Sequence, residues 1–249
     1  MKEFRGDMHI HTCLSPCGES EMVPSAIVSE AKKKNLDIIG VSDHNSVENV
    51  VAVIRAAKKE GLKVIGGIEI TSSEEVHTLG FFDNEDSLKI IQDIVYRNLP
   101  GENKESIFGE QVSVDEHDKK IGTNKKLLIG ATTLSVQKIV EIIHDLGGIA
   151  IASHVDRESF SILGQLGFVP QGLGLDALEV SSLSSIENIK VKFPQIRDFP
   201  LVGFSDAHRL GEIGKSVTSF LIEEATVQEI RKAILKQNGR SVITHFRCS

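Results

Sequence analysis

Cysteine is scarce in this chain of 249 residues: Cys13, Cys17 and Cys248 are too few and too oddly numbered for a disulfide framework. No charged-then-apolar leader precedes the first apolar run, so the protein is expected to be cytoplasmic. No stretch approaches the roughly 18 consecutive apolar residues needed to cross a bilayer as a helix, so membrane insertion is excluded. Basic charge is also in deficit. With 28 Lys and Arg against 35 Asp and Glu, the formal charge is −7, so nucleic acid could be contacted only through a local patch. The basic runs at Lys32–Lys34 and Asn124–Lys126 have no aromatic neighbours to stack bases and read as a helix end and a loop. There is no internal repeat. The Gly-rich piece Gly164–Gly174 is no phosphate cradle, and "GEIGK" at Gly211–Lys215 lacks the spacing of a P-loop. Neither a serine nucleophile elbow nor a nicotinamide fingerprint occurs.

What is present is a chain 40% hydrophobic and 25% charged, enough for one large globular domain or two small ones with an ample core. Short apolar runs alternate with amphipathic stretches. Strands are expected at Met8–His11, Leu36–His44, up to Ile70, Val76–Phe82, Gly147–His154, Leu175–Ser181, Pro200–His208, Val217–Glu223 and in the terminal "SVITHF". Helices are expected at Pro24–Lys34, Val47–Glu60, from a Thr133 or Ser135 cap to Leu146, and at Thr226–Gln237. This alternation predicts parallel βαβ units, seven or eight of them, closing into a single α/β barrel. The polar stretch Asp83–Thr132 breaks the rhythm and reads as an insertion above the barrel mouth, with a helix at Asp86–Arg97.

"DMHIHTCLSP" places His9 and His11 on one face of the first strand, within reach of one ion. His44, Glu69, His77, His154, Asp206 and His208 also fall at ends of apolar strands, so six of the nine histidines and two acids converge on one face. Packing so many ionisable groups together without a cation would cost many kcal/mol. Imidazole with carboxylate suits zinc, iron or manganese, and more than four ligands implies more than one ion. Glu69 is a natural bridge, because its two oxygens can serve two ions. Adjacent ions of this kind acidify a water and clamp the oxygens of a displacement, which is hydrolytic chemistry with water as nucleophile. His117, in the charged turn "DEHDKK", His144 near a helix end and His245 near the terminus are expected not to be ligands.

The strings "DMHIHT", "VSDHNS", "GIEITS", "ASHVDR" and "FSDAH" together resemble the motifs of the PHP (polymerase and histidinol phosphatase) family, in the same order and with similar spacing. The resemblance implies a distorted (β/α)7 TIM-like barrel with the insertion at about 83–132, and a phosphoesterase centre of two or three divalent ions (Zn, Mn or Fe). It implies His9, His11, Glu69 and Asp206 on one ion, Glu69, His77 and His154 on a second, and His44 and His208 on a third. Pro16 stands where many members carry the acid that completes the third site. Cys17 lies where some members carry a histidine, and its thiolate is a zinc ligand type; Glu19 is the other candidate. Arg157 matches the arginine of the family's "HPxR" string and suits a phosphate, and Arg209 is a second phosphate-binding candidate. Asp43 is placed to orient His44 or another ligand rather than to bind metal. The function implied is a metal-dependent phosphoesterase, with Glu69, Asp206 and Arg157 as its catalytic residues, acting on a small phosphomonoester or nucleotide. The alternatives are a 5′–3′ exonuclease on short single-stranded nucleic acid and a non-catalytic metal-stabilised module. No obligate protein partner is implied.

Overall fold

The computed structural model describes residues 1–181 and 186–243; His245, Cys248 and the end of the expected last strand lie outside them. The strands are β1 (Lys2–Ile10), β2 (Ile38–Val41), β3 (Lys63–Thr71), β4 (His77–Phe82), β5 (Val112–Val114), β6 (Lys120–Thr123), β7 (Ile149–Ala152), β8 (Ala177–Val180), β9 (Leu201–Gly203), β10 (Thr218–Ile222) and β11 (Ser241–Ile243). The helices are α1 (Pro24–Lys33), α2 (Val50–Lys58), α3 (Glu85–Asn98), α4 (Glu105–Phe108), α5 (Val136–Asp145), α6 (Ile162–Leu166), α7 (Ile186–Lys192) and α8 (Val227–Ile234). Local chemistry sets several boundaries. Of the two candidate caps for α5, Ser135 takes the role, its hydroxyl accepting from the Lys138 amide. Thr226 does the same for α8 through Glu229. Pro24 opens α1, and Lys32 and Lys33 occupy its last turn, where cations complement the helix dipole. None of the described helices is long and apolar enough to cross a membrane.

Nine strands form one sheet in the order β11-β10-β1-β2-β3-β4-β7-β8-β9. A bridge between Ile10 and Ala207 joins the end of β1 to the residues after β9, so the seven strands from β1 to β9 form a nearly closed barrel. In that bridge the His11 amide donates to Ala207 and the Ala207 amide to His9. The expected run of parallel units is corrected at β4, which is antiparallel to both β3 and β7. The physical reason is the connection: Ser72–Val76 makes a tight hairpin turn and is far too short for a parallel crossover. One consequence is that the first residue of β4 lies at the same barrel end as the last residues of β3.

The barrel carries two apolar layers. Met8, Ile65, Leu79, Phe81, Ile149, Ile151, Val202 and Phe204 fill the interior. Ile39, Val41, Ile68, Ile70, Ala150, Ala152, Leu178 and Val180 face outward to α1, α2, α3 and α5. Helix α8 covers the end opposite the histidines, with Arg231 bonded to Asp176 and to the Gly148 carbonyl. Strand β1 holds one more residue than β2 between Asp7 and Ile10, a β-bulge that breaks simple alternation. Met8 therefore points inward while Ile10 joins the outer layer, and His9 and His11 are turned into the barrel mouth. Gly40 makes room for the bulge, since a Cβ there would lie 2.3 Å from the Met8 carbonyl oxygen.

The stretch 83–132 has two parts. Helix α3, capped by Asn84, buries Leu88, Ile91 and Val95 against β3 and β4 in the helical layer. The remainder, with α4 and the β5–β6 hairpin, packs on loops that follow β1, β2 and β3. There the Asn49 amide donates to the Val112 carbonyl, the Asn45 amide to Leu128 and Gly130, and Thr132 to Thr71.

Candidate metal centre

Each cluster residue reaches the mouth by its place in the barrel. Glu69 follows Ile65 on the inward register of β3. His44, just past β2, bridges to Glu69, extending that parallel ladder into the site. His77 begins the antiparallel strand β4. Ile149 and Ile151 face inward, so plain alternation would turn His154 outward, and its φ of 30° redirects the chain. Asp206 also has a left-handed backbone, with φ 50°. Non-glycine residues held in this region cost about 1–3 kcal/mol each and concentrate at functional sites.

The eight residues expected from sequence lie together. Seven of them form three overlapping groups of candidate ligand atoms within 4.8 Å: His9, His11, Glu69 and Asp206; His44, Glu69 and His77; and His11, His44 and His208. His44 rather than His154 thus shares a group with Glu69 and His77, and His154 stands beside the groups, 3.4 Å from Glu69. Glu69 is the hub. Its Oε1 lies 3.1 Å from His77 Nδ1, 3.4 Å from His9 Nε2 and 3.4 Å from His154 Nε2. Its Oε2 lies 3.0 Å from His44 Nδ1 and 3.5 Å from His11 Nε2. Despite these approaches, both carboxylate oxygens lack a partner in hydrogen-bonding geometry among the described residues, as do the facing Nδ1 atoms of His44 and His77; His154 Nδ1 is likewise unpartnered there, but the nitrogen that faces Glu69 is its Nε2. Buried polar atoms without partners are rare in folded proteins. Convergent nitrogen and oxygen lone pairs that do not bond one another are what a divalent cation of the zinc, manganese or iron type would satisfy.

Electrostatics point the same way. Burial would raise the Glu69 carboxyl, but His77, His9 and His44 outweigh it and hold the group well below the usual range, so it stays ionised. Burial likewise opposes the charge on Asp206, and His9 and His11 overcome it. The adjacent imidazoles diverge. Burial would lower His9, yet Glu179, Asp206 and Glu69 raise it well above its normal value, while burial and His208 drive His11 well below.

The supporting layer contains residues the sequence did not single out. Glu179 on β8 is fully buried, and its carboxylate contacts His9 Nδ1 at 3.0 and 3.1 Å and accepts from the His154 amide at 3.0 Å. Its signal was present as an acid within the otherwise apolar strand "ALEV" of β8. His11 is oriented through a relay: its Nδ1 lies 3.0 Å from Ser15 Oγ, which donates to Asp43 at 2.7 Å. Asp43 also accepts from the Thr12 amide and hydroxyl, both at 2.7 Å. Through Ser15 it orients the His11 ring, and the same hydroxyl accepts from the His44 backbone amide at 3.2 Å. Carboxylates behind metal-binding histidines fix the tautomer and raise ligand basicity. Glu179→Gln should weaken metal affinity by roughly 10–100-fold, read by competition with a chromophoric chelator; unaltered affinity would limit Glu179 to holding the His154 backbone.

The remaining candidates divide. Cys17 is exposed at the cleft rim and belongs to none of the three groups; desolvation by its surroundings would raise the thiol, but the neighbouring His208 and His44 imidazoles outweigh it and lower it to about 7. Glu19 instead pairs with Arg209 at 2.7 Å, and the arginine side chain is 66% exposed and outside the cleft. Arg157 lines the cleft and bonds Asp206 Oδ2 at 2.5 Å through Nη1. His117 is exposed in its turn, and His144 pairs with Asp176 at 2.9 Å, far from the cluster in the barrel's helical layer. Above the cluster opens a cleft of about 620 Å³, bordered also by Ile129, Phe160 and Lys192.

Residues 7–161 match the family described as PHP domain, and residues 191–238 match the one described as PHP-associated. Among curated proteins, YqxK of Bacillus subtilis, an uncharacterized protein, is 24% identical over 263 residues, covering 99% of this chain and 65% of YqxK. The lesion-specific endonuclease EndoQ of Pyrococcus furiosus superposes with a TM-score of 0.75 at 21% identity, covering 97% of this chain and 58% of that one. An Endonuclease Q complex with a 27-mer duplex bearing an abasic lesion at its active site gives 0.76 at 20% identity, with the same coverage. A Bifidobacterium adolescentis protein provisionally described as a metal-dependent phosphoesterase gives 0.56 at 18% identity, covering 93% of this chain and 96% of that one. The chain thus spans less than two thirds of the length of YqxK and Endonuclease Q. The family match extends over well over half of the residues and contains the strings around His9, His44, Glu69 and His154: the chain belongs to the PHP domain family.

Proposed function

We propose that this protein hydrolyses a phosphate ester, a small phosphomonoester or nucleotide, using two or three divalent ions held by the mouth cluster. The observation that carries the reading is Glu69, a buried, ionised carboxylate with two unpartnered oxygens inside five imidazoles. Ions of the zinc, manganese or iron type bound here would supply Lewis acidity and an acidified water. The chain supplies the rest. Glu69 turns Oε1 toward His9, His77 and His154 and Oε2 toward His11 and His44, so both oxygens are available to ions bound among these nitrogens. Glu179 and the Ser15–Asp43 relay fix His9 and His11, so the ligand atoms are preorganised. Arg157 presents the planar fork suited to a phosphoryl group, held at the cleft wall by Asp206. A cleft of about 620 Å³ is in the range for a small ligand.

The likeness to Endonuclease Q and its duplex complex supports a second reading, cleavage of nucleic acid, for which the exonuclease form is a strand end entering the same cleft. One experiment separates them. Protein loaded with zinc, manganese or iron is assayed for phosphate release from a panel of monoesters and for mononucleotide release from short oligonucleotides, with chelator controls. Chelator-sensitive phosphate release from the monoesters is expected. Release of mononucleotides alone would establish the nuclease, and inertness towards both classes in a metal-loaded sample would leave a metal-stabilised module.

A further inference from the structure

Phe160 occupies an uneconomical position for an apolar side chain. It is 42% exposed and borders the cleft above the cluster. Its backbone has φ 57°, a left-handed conformation that bulky residues seldom adopt. The ring lies against the His77 imidazole, centroids 4.8 Å apart and planes 19° from parallel. The segment is fixed on both sides. The Phe160 carbonyl accepts from the His77 amide at 2.9 Å, tying it to the first residue of β4. The Ser161 hydroxyl donates to the Arg157 carbonyl at 2.6 Å and accepts from the Gly164 amide at 2.9 Å. Gly164 is confined as well, since a Cβ there would lie 2.2 Å from the Glu158 carbonyl oxygen. A strained, half-exposed aromatic ring held rigid three residues from Arg157 is a preorganised surface facing solvent. Ile129, 36% exposed, adds a second apolar surface to the same cleft.

We infer that Phe160 is a stacking platform for the base of a nucleotide whose phosphate lies toward Arg157, and that it sets a preference for nucleoside phosphates over plain sugar phosphates. This deepens the phosphoesterase reading and rests on it for the location of the phosphate. A planar ring stacks on any base, so the contact selects the class rather than one base. A free nucleotide and the end of a single strand both bring the same ring beside a phosphate, and the arms of the test distinguish them.

The test uses binding, so it does not depend on turnover. 2-Aminopurine riboside 5′-monophosphate, and a single-stranded tetramer with 2-aminopurine at its 5′ end, are titrated with the full chain, reading fluorescence quenching on stacking. AMP and ribose 5-phosphate serve as competitors, and metal content is measured in every variant. We expect quenching with the wild type and with Phe160→Trp, and binding weakened by about 10–100-fold in Phe160→Leu. AMP should displace the probe at concentrations at least about 10-fold below ribose 5-phosphate. Tetramer binding much tighter than monomer places the base at a strand end, and comparable binding places it in a free nucleotide; either supports the stack. Undiminished binding in Phe160→Leu overturns it, as does equal competition by the two phosphates. Loss of metal from Phe160→Leu with parallel loss of AMP and ribose 5-phosphate binding also overturns it, assigning the ring to bracing His77. Intact quenching in a protein that releases no phosphate from any ester would overturn the phosphoesterase reading and leave the platform standing.

Discussion

Glu69→Gln yields a protein that folds but retains at least one fewer ion per chain and loses about 10³-fold or more of its phosphoesterase activity, roughly 4 kcal/mol of barrel-mouth chemistry. The expectation follows from the position of this side chain as the hub of the cluster. Glutamine keeps the shape of glutamate but removes the charge and replaces one carboxylate oxygen with an NH2 group that only donates. The five imidazoles around it, each within 3.5 Å of the carboxylate, then lose the negative charge they share. Elemental analysis of gently purified protein reads the stoichiometry, and a thermal scan with added zinc or manganese reads linkage. The wild type should melt higher as the ion is added, because a ligand that binds only the folded state stabilises by RT ln(1 + [L]/Kd). The variant should show little of that rise. Full metal content and undiminished turnover in Glu69→Gln would remove the basis for the proposed centre.

The second large effect is on the fold. Gly40→Ala should destabilise the protein by about 3 kcal/mol or more, a fall of roughly 6–12 °C in Tm for a chain of this size. The added methyl meets the Met8 carbonyl oxygen at 2.3 Å, and that oxygen is backbone in the centre of the sheet with no room to retreat. Relief requires moving the bulge that turns His9 and His11 inward, so metal affinity should fall together with stability. Gly61→Ala is a useful contrast, since it has φ 65° but open space around it, and any penalty there should leave metal binding untouched. A Gly40→Ala protein melting within 2 °C of wild type, by calorimetry, would show that β1 and β2 repack more easily than this register implies.

Much of the site was legible because strand alternation and ligand chemistry are local properties. Histidines two apart in a strand must share a face, and acids ending apolar runs announce themselves. Where the sequence misled, the cause was non-local. Nothing in "VHTLGFF" states its direction, and only the brevity of Ser72–Val76 hints that β4 runs against its neighbours. The bulge at Met8 depends on Gly40, about thirty residues away, so the two cannot be read as one feature from either segment alone. Glu179 escaped notice because its partner His9 is distant in sequence. Arg209 and Glu19, both read as site candidates, pair with each other at 2.7 Å, a contact that spacing along the sequence does not reveal. The helix expected at Asp86–Arg97 forms as α3, whereas the partners of its buried stripe, Leu88, Ile91 and Val95, lie on β3 and β4 and could not be read from the segment alone.

The bridge from Ile10 to Ala207 ties assembly of the mouth cluster to closure of the barrel. It brings His9 and His11 of β1 within 3.2 Å of Asp206, a residue far away along the chain. Parting of that seam would separate the same side chains and dismantle the group they form with Glu69. A cation bound among them would therefore act as a clasp on the seam, resisting its opening.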